Sequence, residues 1–215
     1  IVFFMPMVGI ALGFDAINRE QVSGTLSRVL SQPLYRDSVI NGKFLAGLTT
    51  IAVMLVSLTI FISGLGLNII GVPPTWGEAL RIVLFIGVTL VYVAFWLSLS
   101  ILFSIFFRRT ATSALAVIAL WLFFAFFMTM IAGALSDAVA PVNPQSSAEE
   151  VVRNENTRSA IMRISPTNLY DEAVGVIMTP SIRSLGPILV KDVARLLPTP
   201  LSLGQSLSLV WPHLI

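Results

Sequence analysis

No charged residue occurs between Lys43 and Glu78, between Arg81 and Arg108, or between Arg109 and Asp137. A bilayer core of about 30 Å takes roughly 20 apolar helical residues to cross, and each of these gaps is longer. We therefore expect transmembrane helices near residues 45–70, 82–107 and 112–135, with tilt absorbing surplus length. The expected fold class is all-α: a polytopic transmembrane helical bundle with short external amphipathic helices. Composition agrees. Only 11% of the 215 residues are charged and 56% are hydrophobic, with a mean hydropathy of +0.90. Soluble domains run at about a quarter charged, because water must cover their surface.

The ends continue the pattern. Residues 1–14 (IVFFMPMVGIALGF) are apolar but too short to cross. They lack both the basic leader and the small-residue cleavage pattern of a signal peptide. At the other end LSLVWPHLI begins a further apolar segment at about 207–215. The chain is expected to open and close inside membrane helices. The expected organisation is a transmembrane core over 1–135, an external region over 136–206, and the start of another span.

Basic residues in short loops set orientation. The 15–43 connection carries Arg19, Arg28, Arg36 and Lys43, and the turn after the second complete span carries Arg108 and Arg109. The 71–81 loop offers only Arg81. The first two connections are expected in the cytoplasm and the third outside, which places 136–206 outside as well.

The 15–43 connection holds more information than any other loop. Val22, Leu26, Val29 and Leu30 fall at i, i+4, i+7 and i+8, one stripe of a short helix. Ser23, Ser27, Arg28 and Ser31 take its other face, and Pro33 ends it. Asp37 or Ser38 then caps the next helix, which runs through Gly42 and Lys43. On spacing alone this is an amphipathic helix lying at the membrane surface, its arginine reaching lipid phosphates.

The stretch FDAINREQVSGTLSRVLSQPLYRDSVINGKFLAG resembles the cytoplasmic signature of type-2 ABC transporter permeases. It is most similar to the branch that contains the permease of the nitrous-oxide reductase maturation exporter and its archaeal relatives. The matching positions are Asp15, Glu20, Gly24-Thr25-Leu26, Ser31-x-Pro33-x-x-Arg36 and Gly42-Lys43, and SPTNLYDEA and QSLSLVWP further along also look alike. The resemblance implies a subunit that forms the translocation pathway of an exporter in the cell membrane. It works as a pair of permease copies, coupled to a cytosolic ABC ATPase subunit. ATP and magnesium would sit on that partner, since this chain has no GxxxxGK[ST] loop. The short helix would dock in a cleft of the ATPase, with Leu26, Val29 and Leu30 as apolar anchors and Arg19, Arg28 and Arg36 at the rim. Asp15 and Glu20 either join that contact or pair internally with Arg19 or Lys43.

Past the third span, Ser146 and Glu149, or Ser147 and Glu150, have capping-box spacing ahead of VVRNENTRSAIMRI. A second helix is expected with Ser165 as cap and Pro166 at its first position. Its stripe would be Leu169, Tyr170, Ala173, Val174 and Ile177. A third stripe comprises Leu189, Val190, Val193, Leu196 and Leu197. These helices are expected to cap the exit, to form a docking site for another protein, or to lie on the outer leaflet. Gly9-xxx-Gly13 has the spacing of close helix packing, expected within the chain. Pro6 is expected to kink its helix. Of the tryptophans only Trp76 fits an interfacial belt.

Several functional classes lose their chemistry here. The complete spans hold no ionisable residue for ion coupling. One histidine, His213, provides no haem pair. The absence of cysteine removes disulfides, thiolate metal sites and a cysteine nucleophile. A net charge of +2 without a long basic run gives no footprint for nucleic acid. No catalytic, cofactor-binding or metal-ligating set is expected in the chain, and the lipid bilayer is its surrounding solvent. The competing expectation is a passive polytopic anchor of another membrane complex. The polar side chains within the spans, among them Thr59, Thr89, Ser98, Ser100 and Ser104, suit an amphipathic or uncharged cargo.

Overall fold

The computed structural model describes residues 2–25, 36–71, 73–141 and 148–178, and every regular element among them is helical. In chain order these are α1 (Phe4–Gly13), α2 (Asn18–Val22), α3 (Arg36–Ile70), α4 (Trp76–Phe106) and α5 (Thr110–Leu122). A π-helical segment (Phe123–Phe127) follows, then α6 (Met128–Val139), α7 (Ala148–Met162) and α8 (Pro166–Met178). The segments Asp37–Ile69, Trp76–Phe106 and Thr110–Val139 are each long and apolar enough to cross a membrane. The first two start well before their expected beginnings, and the third extends at both ends. At 1.5 Å per residue they measure about 45–50 Å, longer than a bilayer core. Asp37 therefore lies in the first turn of α3 rather than capping it, where its carboxylate opposes the positive end of the helix dipole.

The described residues fall into two compact units, within Ile1–Trp76 and Ile86–Trp121, and within Gly77–Phe85 and Leu122–Ile215. The core of the first is apolar and aromatic: Ile51, Leu55, Val93, Trp96, Leu97, Val117 and Trp121 are buried. The outward side of α3 exposes Val53, Ile60, Phe61 and Ile69. Water would penalise such a surface, whereas hydrocarbon matches it. With no hydrophobic force between helices in lipid, close backbone approach takes its place. A Cβ built on Gly13 would fall 2.7 Å from Ser100 Cβ and 3.0 Å from the Leu97 carbonyl oxygen. One on Gly9 would fall 3.0 Å from the Val93 carbonyl oxygen, and one on Gly47 3.0 Å from Leu97 Cδ2. The Gly9-xxx-Gly13 pair thus packs within the chain, α1 against α4. Pro6 sits in the first turn of α1, where a proline nitrogen breaks no backbone bond, so no kink follows.

The second unit is built on the far part of the third long helix. In the π segment the Met128 N–H bonds to the Phe123 carbonyl instead of Phe124. The Phe124 carbonyl accepts the Ser165 hydroxyl at 3.3 Å. Ser165 does precede Pro166 at the start of α8, and its carbonyl receives the first helical bond, from Leu169 N–H. α7 returns along α6. Asn154, nearly buried, donates to Asp137 (3.0 Å) and to the Ala140 carbonyl (2.7 Å), and Arg153 donates to the Val139 carbonyl. These side chains satisfy carbonyls that the end of α6 leaves open. At the end of α8, Arg81 donates to the Ile177 carbonyl at 2.6 Å. The buried face of α8 is Thr167, Tyr170, Ala173, Val176 and Ile177. It is rotated from the expected stripe, because Leu169 and Val174 are only half-buried. The helix over 189–197, the capping serines 146 and 147, and QSLSLVWP lie outside the described residues.

Between α7 and α8 a cavity of about 400 Å³ is lined by Glu155, Arg158, Asn168, Asp171 and Glu172. Arg163 closes on Glu172 at 3.3 Å. Burial pushes the Asp171 carboxyl above its ordinary value of 3.8.

Two outcomes follow. Gly13→Ala forces α1 off α4 and should cost about 1–3 kcal/mol, measured by thermal unfolding in detergent. Gly64→Ala, where a Cβ meets nothing within 4 Å, should be neutral. For Asp171 the folded-state pKa lies above the unfolded one, so its stabilising effect is complete below 3.8 and is lost as pH rises through the raised value. The wild type should therefore lose more melting temperature than Asp171→Asn on going from acid to neutral pH.

Candidate coupling site at the inner end of the first unit

α1 ends at Gly13, and after four intervening residues the chain starts α2. Two bonds position that start. The backbone N–H groups of Ile17 and Asn18 both donate to Ser104 Oγ on α4, at 3.0 and 3.1 Å. One buried hydroxyl thereby satisfies two amides that a helix N-terminus leaves unpaired. Four residues earlier on the same helix, the Ser100 hydroxyl donates to the Ile10 carbonyl at 3.0 Å. The far side of α2 is tied to α3 instead: Lys43 Nζ donates to Glu20 Oε1 at 2.7 Å, with both side chains about three-quarters buried. α2 thus bridges α3 and α4 in five residues.

Gly24 ends this short helix. Its φ of +69° is left-handed, a conformation that glycine adopts without a Cβ penalty, and Ser23 Oγ donates to the Glu20 carbonyl at 3.3 Å. The stripe expected to start at Val22 is interrupted there. Val22 belongs to α2 and is exposed. Leu26, Arg28, Val29, Leu30 and Pro33 lie outside the described residues, as does the side chain of Arg36, the first residue of α3. Asp15 is half-buried, and its carbonyl accepts the Arg19 N–H at 3.0 Å. Arg19 and Thr25 are exposed, with Thr25 Oγ1 2.8 Å from Ser23 Oγ. Gly42 is exposed on α3, and a Cβ there would meet nothing within 4 Å.

Of the expected residues, then, Glu20 and Lys43 are brought together, with the internal pairing realised between them. Of the hydroxyls expected to suit an amphipathic or uncharged cargo, several are engaged within the fold. Thr89, Ser100 and Ser104 are fully buried, and Thr59 and Ser98 bond carbonyls of their own helices. In a low-dielectric surrounding these groups are held by the fold. Residue patterns named Ser104 only among the polar groups of the spans and passed over Asn18. The signal for a packing role of Ser104 was its spacing: Ser100-xxx-Ser104 repeats that of Gly9-xxx-Gly13, and a Cβ on Gly13 would meet Ser100.

Among the described residues, Ser100, Ser104, Arg153 and Asn154 spend their polar groups on joining helices. A family model described as ABC-2 family transporter protein matches residues 1–208, and the chain belongs to that family. Its members are membrane subunits, not enzymes, and normally partner with an ABC ATPase subunit. Comparisons with curated proteins and with solved structures give no match.

The bridge has a direct test. Lys43→Glu places two carboxylates together and should lower the melting temperature by several degrees. The exchange Glu20→Lys with Lys43→Glu should recover most of that loss, since a partly buried pair depends on sign rather than on which helix carries it.

Proposed function

We propose that the chain is the permease subunit of an ATP-driven exporter in the cell membrane, crossing it several times and acting as a pair. Residues 15–43 then form its cytoplasmic contact with the ATPase, and 136–206 face outside. One observation carries this reading: α2 is tied to α4 through Ser104 and to α3 through Glu20–Lys43. A push on the connection between α2 and α3 is thereby delivered to two spans at once. A passive anchor has no use for such a bridge. The likeness of this stretch to the nitrous-oxide reductase maturation exporter's permease supports export as the direction. Ser100 and Ser104 are bound within the fold, while Ser57, Ser63, Asn68 and Thr129 are exposed on the spans, so the cargo path belongs to the outer surface that two copies share.

Leu26→Glu and Leu30→Glu place a carboxylate in the proposed docking face, and burying it unpaired is costly. Membrane levels should stay normal, while copurifying ATPase should fall more than tenfold and ATP hydrolysis should lose its stimulation. Ser27→Ala, on the opposite face, should change little. Retention of the ATPase by both glutamate variants would move the protein to the passive-anchor class.

A further inference from the structure

Asn18, the first residue of α2, has no exposed surface, and neither Nδ2 nor Oδ1 of its amide has a hydrogen-bond partner among the described residues. A buried amide normally finds at least one, and each exception asks for an explanation. Helix capping supplies none. The N-terminal amides of α2 are already satisfied by Ser104 Oγ, so the Asn18 side chain is not needed there. Packing supplies none either, since a leucine of similar size would fill the same space without two stranded polar atoms. The neighbouring carboxylate repeats the pattern: Glu20 Oε1 holds Lys43, while Glu20 Oε2 is buried without a partner. Three stranded polar atoms therefore sit on one five-residue helix.

We propose that Asn18 is a positioning residue that weakens the seat of α2 against α3 and α4, so that α2 is poised to leave it. The penalty on the buried amide applies only while α2 is seated. In any arrangement that admits water or a protein partner to the amide, the penalty vanishes, and the balance between seated and displaced states narrows. The seat itself rests on the two ties already described, one at each side of α2. A small force on the following segment is then enough to release it. This rests on the coupling reading for its use, though not for its physics.

Hydrogen exchange of the α2 amides provides the test. The N–H groups of Arg19, Glu20, Gln21 and Ser23 bond carbonyls within this turn and report its opening. In the full-length protein, Asn18→Leu should slow their exchange about tenfold and raise the melting temperature. Asn18→Met, an unbranched and more adaptable replacement, guards against a poor fit of leucine. ATPase stimulation by the subunit should fall in both variants, because the seat has become harder to leave. Unchanged or faster exchange in both variants would overturn the proposal, and would mean that the amide is satisfied, for example by an internal water. Slower exchange with unaltered ATPase stimulation would keep Asn18 as a weakener of the seat and remove the coupling reading instead.

Discussion

Hydrocarbon offers no hydrogen bond to a backbone amide or carbonyl, and this constraint organises the molecule. It explains why every described element is a helix, and it also governs the ends of those helices. Where a helix stops, its open amides or carbonyls must find a side chain. Ser104 takes two amides at the start of α2, Arg153 and Asn154 take carbonyls at the end of α6, and Arg81 takes one at the end of α8. These few polar side chains define how the short elements attach to the long ones.

The same solvent changes what holds helices together. Hydrophobic burial gives little advantage when the alternative is lipid, so approach distance and polar contacts matter more. α4 is the member of the first unit on which this is clearest. Gly9 and Gly13 let α1 reach its backbone, Gly47 lets α3 reach Leu97, and Ser100 and Ser104 take bonds from the chain passing over them. Aromatic contacts at right angles, Tyr92 with Trp96 and Phe3 with Trp121, fill the remaining space. In the second unit the π segment plays the equivalent part. One skipped bond releases the Phe124 carbonyl for Ser165, which ties the junction between α7 and α8 to the third long helix.

Function enters through the contrast between these well-satisfied junctions and α2. The helix is joined to two long neighbours, yet it carries the stranded amide of Asn18 and half of an unsatisfied carboxylate at Glu20. In the coupling reading proposed above, the membrane part holds firm and α2 is the element that moves. Unsatisfied buried atoms occur on the long helices too, at Ser113 and Trp121, but α2 carries three of them within five residues, which gives that division a physical basis.

Much of the architecture was legible in the order of residues. Gaps between charges located three spans, because a charge inside hydrocarbon is costly wherever the chain goes. Pro166 marked the start of α8, and Gly9 and Gly13 marked a close contact, since both act through local backbone geometry. Other features had no local signature. Whether Glu20 meets Arg19, Lys43 or a partner depends on how α2 lies against α3, where Lys43 stands 23 residues further along the chain. The buried face of α8 differs from its apolar stripe because Thr167 and Val176, rather than Leu169 and Val174, meet the surface beside them. Gly24 breaks the stripe that Val22 begins, a choice of φ that side-chain periodicity cannot register. The sequence by itself determined that this protein lives in a bilayer and where it crosses, since transfer free energy is a property of each segment alone. Only the tertiary structure decided which polar groups are satisfied and which are left waiting, because a hydrogen bond requires two partners and the chain must fold to bring them together.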